Sequence, residues 1–310
     1  MASRLTLLLP ARDRFGTAAL PHELGRVLAR ADRDMLAAGG KAQIQRHLQA
    51  IPAHCPVAAI TRHVDAPGAE QQAWLRADPA WVRVDINGGR MLACGEMGLT
   101  LVEAQALIEP LRTLFGDEGF PISAPTPSRW YLMLPRESKV PPFAPPEDVL
   151  GDDLVEHLPA GNDGRRWRRL LNEAQVILHN HPINERRIAQ GKPPVNSLWF
   201  WGGGVLPDFV QCSARVCSED AVVHGLLKIA QIAPQPLPAR FDSGLRDGAC
   251  VVDLRRLRDA AMLARDWVLP ANSALRAGDE LRLDCGDGAQ YLLRRSQRWR
   301  FWRRSWTVWA

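Results

Sequence analysis

Residues 170–207 read LLNEAQVILHNHPINERRIAQGKPPVNSLWFWGGGVLP. Two periodicities meet in this stretch. Taken back to Trp167, its first part puts Trp167, Leu170, Leu171, Ala174, Ile177 and Leu178 on one stripe at helical spacing. Asp163 can cap that helix and Pro182 stops it. Asn184 can cap a short second segment, ERRIAQ, which Gly191 ends. The last part is a strand. Trp199, Phe200 and Trp201 are too bulky to leave both of its faces in water, so at least one face must be covered. Helices feeding a covered strand are the mark of an α/β fold.

The alternation continues in both directions. Leu5 to Leu9, closed by Pro10, reads as a first buried strand, and is too short for a signal-peptide core or a membrane span. Residues 20–50 read as helical, broken at Gly39-Gly40. WVRVDINGGRMLAC, residues 81–94, reads as two strands around a turn at Asn87-Gly88-Gly89. Thr100 and Glu103 form a capping box that opens a helix, which Pro110 should kink. RWYLML, residues 129–134, is a strand, and the five prolines of residues 135–151 mark an irregular crossover. ELRLDCGDGAQYLLRR, residues 280–295, reads as a hairpin around Gly286-Asp287-Gly288. The expected fold is α/β, a sheet flanked by helices with an inserted α+β subdomain. The insert is expected at 73–205, between segments 1–72 and 206–310 of the main domain.

With 310 residues, 46% hydrophobic and 24% charged, the chain can bury a sizeable core. Its net charge of +5 is uneven, because residues 294–310 hold six arginines and no acid. The six cysteines are scattered without a CxxC pair, which argues against structural zinc and fits reduced thiols in the cytoplasm. In the C-terminal segment Trp299, Trp302, Trp306 and Trp309 fall at spacings of three, four and three. That spacing predicts a terminal helix docking its tryptophans in the core, with contact to nucleic acid or a membrane surface as the alternatives.

The glycines at 202, 203 and 204 allow two readings. Successive backbone N–H groups there can form a nest for an anion, or the glycines can simply let a bulky strand turn. Arg187 suits a phosphate or carboxylate partner. Asn196 is a backbone clamp or a ligand contact. His181 is expected to bond a backbone group at the helix end. No GxSxG nucleophile elbow occurs.

His181, Pro182, Asn184, Arg187, Gly191, Pro194, Asn196, Gly202 and Gly204 fall on the pattern HPxNxxR…GxxPxN…GxG. In this the segment resembles archaeal-type cofactor-independent phosphoglycerate mutases of the alkaline phosphatase superfamily. The stretches ADPAWVRVD, RWYL, WRRLLNEAQ, NSLWFWGGG and RFWRR resemble a bacterial group, the RpfE-type regulatory proteins, over most of the chain. The mutase resemblance implies two divalent metals held by Asp and His, with an Asp-Gly pair ending the first strand. Here that strand ends in Leu9-Pro10-Ala11, and no histidine lies beyond His224. A two-metal site needs converging carboxylates and imidazoles.

The function expected is therefore that of a non-catalytic cytosolic regulatory or binding protein on a degenerate phosphoglycerate-mutase-like scaffold. No catalytic residue, metal or cofactor is expected. Asn184, Arg187, Asn196, Gly202, Gly203 and Gly204 are the candidate ligand-binding residues. The expected partners are a small phosphorylated or anionic ligand and another protein; nucleic acid and a membrane span are not expected. Two alternatives stay open. One is a metal-dependent phosphoglycerate mutase or phosphatase with relocated ligands. The other is a nucleic-acid-associated regulator acting through the basic tail.

Overall fold

The computed structural model describes residues 3–85 and 88–309. Asn87 of the expected hairpin turn lies outside the described residues, and Asp163 is not the expected cap, because it lies inside the helix Gly161–His179, whose cap position is Ala160.

The chain divides into two compact units, Met1–Ala53 with Asp208–Ala310, and His54–Pro207. The first unit opens with β1 (Arg4–Leu9), α1 (His22–Arg30), β2 (Asp32–Met35), α2 (Gly40–Gln45) and β3 (Gln49–Ile51). The second unit begins with α3 (Val57–Asp65), β4 (Ala73–Asp85), β5 (Gly88–Cys94), α4 (Leu101–Asp117) and β6 (Ile122–Ser123). It continues with β7 (Tyr131–Leu134), α5 (Pro146–Val149), α6 (Gly161–His179), α7 (Pro182–Ala189) and β8 (Ser197–Val205). The first unit then resumes with β9 (Phe209–Gln211), β10 (Arg215–Cys217), α8 (Ala221–Ile229), β11 (Ala249–Asp253), β12 (Glu280–Cys285) and β13 (Ala289–Leu293). The inserted unit starts at His54, before the boundary at 73 expected from sequence, because Ala58 and Ala59 of α3 pack on Trp74 and Tyr131. No helix among the described residues is long and apolar enough to cross a membrane.

In the first unit a six-stranded sheet runs β10-β11-β1-β12-β13-β2. The first four strands are parallel, β13 runs against β12, and β2 runs against β13. Leu5, Leu7, Leu8 and Leu9 of β1 are all buried, as a central parallel strand requires. Leu5, Leu7 and Leu9 share a core with Leu24 and Leu28 of α1 and with Trp267 of the helical stretch at 260–273. Residues 20–50 are only partly helical. β2 lies between α1 and α2 as an edge strand paired with β13, and pairing rather than residue pattern makes it a strand.

In the second unit β5-β4-β7-β6 form a sheet, and β8 also pairs with β4. Phe200 of β8 meets Phe115 of α4 edge-on at 6.1 Å and Trp167 of α6 at 5.2 Å. Buried on the same unit's core side are Leu170, Leu171, Ala174 and Leu178, so α6 presents the stripe read from its spacing. The helix α4 keeps its Thr100–Glu103 capping box and runs on through Pro110. The three glycines do not form a turn after the strand. They lie within β8, beside a bulge where Trp74 faces Gly204 and Arg76 faces Trp201. Gly202 has φ +66°, and a Cβ there would come within 3.0 Å of the Val57 Cβ. A Cβ on Gly204 would come within 2.9 Å of the Pro56 Cβ, so the glycines admit the start of α3 against the strand.

The C-terminal segment is not the expected helix. A single 3₁₀ stretch spans Arg295–Trp299, and the chain beyond it is irregular. Only half of the tryptophans dock. Trp309 stacks on Phe15 at 5.2 Å, and Trp306 meets Tyr291 edge-on at 5.9 Å. Trp299 and Trp302 stay 77% and 68% exposed. The reason is competition for backbone partners. Arg300 donates to Arg30 O, Arg303 donates to Ala29 O and Ala31 O, and Trp306 N donates to Gly25 O. The segment is thus tied along α1 by groups that a continuous helix would have turned elsewhere. A Cβ at position 25 would overlap the Trp306 carbonyl, so glycine is needed for this approach.

This arrangement separates two kinds of tryptophan. Replacing the partly buried Trp306 by Ala should lower unfolding free energy by about 1.5–3 kcal/mol. Replacing Trp302 should change it by less than about 0.5 kcal/mol. Urea unfolding followed by circular dichroism measures both, and equal losses would contradict the docking described.

Candidate functional site

The residues singled out in the sequence occupy two places in the second unit. Asn184 sits in α7 and clamps the chain around it. Its Nδ2 donates to Leu178 O at 2.7 Å and Val195 O at 2.8 Å, and its Oδ1 accepts from Val195 N at 2.8 Å. Arg187, 1% exposed, donates to Pro193 O at 3.0 Å and Met97 O at 2.7 Å, with Glu103 at 3.4 Å. Asn196 bonds both backbone groups of Val82 at 2.8 Å. Gly202, Gly203 and Gly204 lie farther along β8, against Val57, Leu75 and Pro56. Asn184 and Arg187 come together; the glycines do not share their surroundings. The cap of α7 is His181 rather than Asn184, for His181 Nδ1 accepts from Ile183 N at 3.2 Å. Burial lowers the His181 pKa, which keeps the ring neutral and able to accept.

A second cluster lies in the first unit at the carboxyl ends of the parallel strands, where open α/β sheets present their ligand crevices. Leu8 of β1 is in register with Asp253 of β11 on one side and Asp284 of β12 on the other. The two acids therefore stand level, two strands or about 9–10 Å apart. Between them β1 ends in Leu9-Pro10.

Each acid is held by a guanidinium. Arg46 Nε and Nη2 reach the Asp284 carboxylate oxygens at 3.0 and 2.6 Å, and His47 Nε2 lies at 3.2 Å. Arg255 Nε and Nη2 reach those of Asp253 at 2.8 and 2.6 Å, and Ser218 Oγ donates at 2.8 Å. Burial alone would raise both carboxyl pKa values. For Asp284 the bonds from His47 and Arg46 outweigh it, and for Asp253 those from Arg255 and Ser218 do, so both end below the usual carboxylate value. Two-pronged pairing of this kind uses both oxygens of a carboxylate. Among the described residues no group of three or more His, Cys, Asp or Glu converges on a possible metal position. This donor set does not fit the two-metal centre that the mutase resemblance implies, because a divalent ion would have to displace guanidinium from both acids.

Beside Arg46 and His47 a groove of about 520 Å³ opens over the polar face of the same sheet. Arg4, Thr6, Arg282 and Gln290 form its floor, and no Asp or Glu is among its lining residues. Arg282 Nη2 bonds Glu280 at 3.1 Å, while its Nε is buried without a partner among the described residues. The sequence carried a signal for this face. Arg4-Leu5-Thr6-Leu7 and Leu281-Arg282-Leu283-Asp284 alternate with the strand period of two, placing leucine toward the core and polar groups opposite. Reading 5–9 only as an apolar run hid it.

No protein-family model matches the chain. It is similar in sequence to a probable 2,3-bisphosphoglycerate-independent phosphoglycerate mutase of Geobacter sulfurreducens, 36% identical over 129 residues. That match covers 41% of this chain and 32% of the relative. The 2,3-bisphosphoglycerate-independent phosphoglycerate mutase of Methanosarcina barkeri is 34% identical over 128 residues, with 41% and 32% covered. The matched segment thus spans about a third of the length of these relatives. Among solved structures, the cofactor-independent phosphoglycerate mutase of Thermoplasma acidophilum gives a TM-score of 0.38 at 14% identity, covering 95% of this chain and 90% of that one. A Pyrococcus horikoshii protein gives 0.47 at 13%, covering 94% and 87%.

The depressed pKa values of Asp253 and Asp284 have a fixed consequence for stability. Their stabilisation is complete above the unfolded carboxylate pKa, about 4, and is lost as pH falls through the lower folded values. Asp284→Asn leaves Arg46 facing a neutral group. It should cost about 3–5 kcal/mol at pH 7, the range for breaking a buried pair. The penalty relative to wild type should shrink below pH 4, about where unfolded carboxylates protonate. Thermal melts from pH 7 to 3 measure this, and a penalty that does not change with pH would contradict the ionised pair.

Proposed function

We propose that this chain is a non-catalytic regulatory protein of the RpfE type, built on a degenerate phosphoglycerate-mutase-like scaffold, and that it binds a small phosphorylated or carboxylated anion. One observation carries the reading: Arg46 and Arg255 sit on Asp284 and Asp253, the acids at the ends of the strands beside β1. Guanidinium in these places replaces divalent charge with a fixed monovalent one. It can neutralise a carboxylate, but it offers no Lewis acid and no bound water for attack. What remains is the groove beside it. Arg4, exposed, and Arg282, half-buried, both line it and can receive an anion there without competing for Asp284. Three glutamines and Thr6 can orient it by hydrogen bonds. A cytoplasmic location goes with this reading, since all six cysteines are free thiols.

The catalytic alternative keeps its support in the sequence similarity to phosphoglycerate mutases. The two readings separate in one set of measurements. Conversion of 3-phosphoglycerate to 2-phosphoglycerate should not exceed a no-protein blank with Mn²⁺, Co²⁺ or Mg²⁺. Turnover that EDTA abolishes would establish the enzyme instead. Calorimetry with 3-phosphoglycerate should show binding whose affinity Arg4→Ala with Arg282→Ala reduces about tenfold or more, the loss of one charge-assisted contact or better. Binding left unchanged by the double variant would remove the groove from the proposal.

A further inference from the structure

The C-terminal segment carries a feature that neither the groove nor the strand-end acids explain. Trp299, Phe301 and Trp302 are 77%, 76% and 68% exposed. Large exposed rings grouped in one short segment are unusual on a folded surface, and mark a contact site. They are not on a loose tail. Arg300 is fixed to Asp32 at 2.6 Å and to Arg30 O at 2.9 Å, and Arg303 to Ala29 O and Ala31 O at 3.1 Å. Arg298 is fixed to Asn272 O at 2.8 Å, and Trp306 and Trp309 anchor the end of the segment in the core. Phe301 and Trp302 also hold one another edge to face at 5.6 Å.

Charge surrounds the rings. Of the six arginines from 294 to 304, Arg294 and Arg300 meet carboxylates. Arg295, Arg298, Arg303 and Arg304 have no carboxylate partner among the described residues, and all four are exposed. The Arg295 and Arg304 side chains make no hydrogen bond among the described residues either. The fitting partner must therefore be anionic.

The apolar half of the surface narrows the choice. From residue 294 to 309 every apolar side chain is aromatic except Val308, 59% exposed, and no Leu, Ile or Met occurs. A surface that inserts into a bilayer also brings aliphatic side chains for the acyl region. A surface of rings and guanidinium groups offers flat π-faces and phosphate donors. Single-stranded nucleic acid supplies both complements, stackable bases and a charged backbone.

We propose that Trp299, Phe301 and Trp302, with Arg295 and Arg304, form a stacking platform for single-stranded nucleic acid. The platform is independent of the small-anion groove and of whether the chain catalyses a reaction. Base stacking on the rings supplies sequence-tolerant affinity, and the arginines supply the salt-dependent part.

The probe is a fluorescein-labelled oligothymidylate of about 15 nucleotides, within the site sizes of single-strand binders. Anisotropy at low salt should show saturable binding to the intact chain. The triple variant Trp299→Ala, Phe301→Ala, Trp302→Ala should bind about tenfold or more weakly, the loss of one or more stacked bases, while its thermal melt stays that of wild type. Arg295→Ala with Arg304→Ala should reduce the slope of log K against log salt by about 1.4, two phosphate contacts at the single-strand value. Absence of wild-type binding would overturn the proposal, as would equal binding by the triple variant. Ring-dependent binding to phosphatidylserine vesicles without binding to the oligonucleotide would also overturn it and assign the surface to lipid.

Discussion

Asp284 has no exposed side-chain surface, and much of the first unit's strand-end geometry follows from keeping its charge paired. The acid sits in β12 beside Leu8 of an all-leucine stretch, where an unpaired carboxylate would be very costly. Arg46 answers it from just beyond α2, and His47 adds a second contact. Gln43 of α2 then ties the backbone at the same level, donating to Leu9 O at 3.0 Å and Asp284 O at 2.5 Å. One charge thus fixes the docking of a six-residue helix that has little apolar surface of its own, with only Gln43 and Ile44 buried. The same interaction occupies both oxygens of the carboxylate, so the pairing that stabilises this end of the sheet also fills its acceptor positions.

The second unit solves a different problem. Its β8 must carry Trp199, Phe200 and Trp201 and still pass beneath the start of α3. Aromatic bulk on one half of the strand and bare backbone on the other meet both demands. Asn184 and Asn196 hold the approach to this strand by bonding backbone groups on both their amide ends. Arg187 does the same with a charge, and it is 1% exposed. Side chains in such closed networks set geometry, since breaking any bond leaves a buried polar group without a partner.

Much of the fold was legible where a residue pattern was locally sufficient. The stripe on α6, the capping box of α4, the buried run of β1 and the hairpin of β12 and β13 all follow from spacing and turn chemistry. What was hidden depended on partners distant in sequence. The tetrapeptide DRDM of β2 has no strand alternation, and only its pairing with β13 orders it. The glycines of β8 read equally as a turn until α3, far back in the chain, is seen against them. The alignment of the strand-end acids was hidden for a similar reason. Asp253 and Asp284 are separated by thirty other residues, and only β1 between their strands makes them neighbours in one layer. Nothing in the sequence around Asp284 says that Arg46, far back in the chain, completes its pair, although Arg255 stands only two residues from Asp253.

The C-terminal segment shows why spacing alone misleads at a chain's irregular end. Four tryptophans at helical intervals imply one apolar face, and that inference assumes the backbone closes its own hydrogen bonds. Here α1 ends in carbonyls at Ala29, Arg30 and Ala31 that accept from Arg300 and Arg303. Once those guanidinium groups cap another helix, the segment follows α1 rather than its own axis. The spacing of three and four then ceases to mean a shared face. Trp306 and Trp309 reach the core, while Trp299 and Trp302 face away from it. A segment built only for packing has no use for two exposed indoles, and a solvated one has no use for rings at all. Fixed backbone beneath exposed rings is the combination a recognition surface requires, because ordering costs little more when the partner arrives.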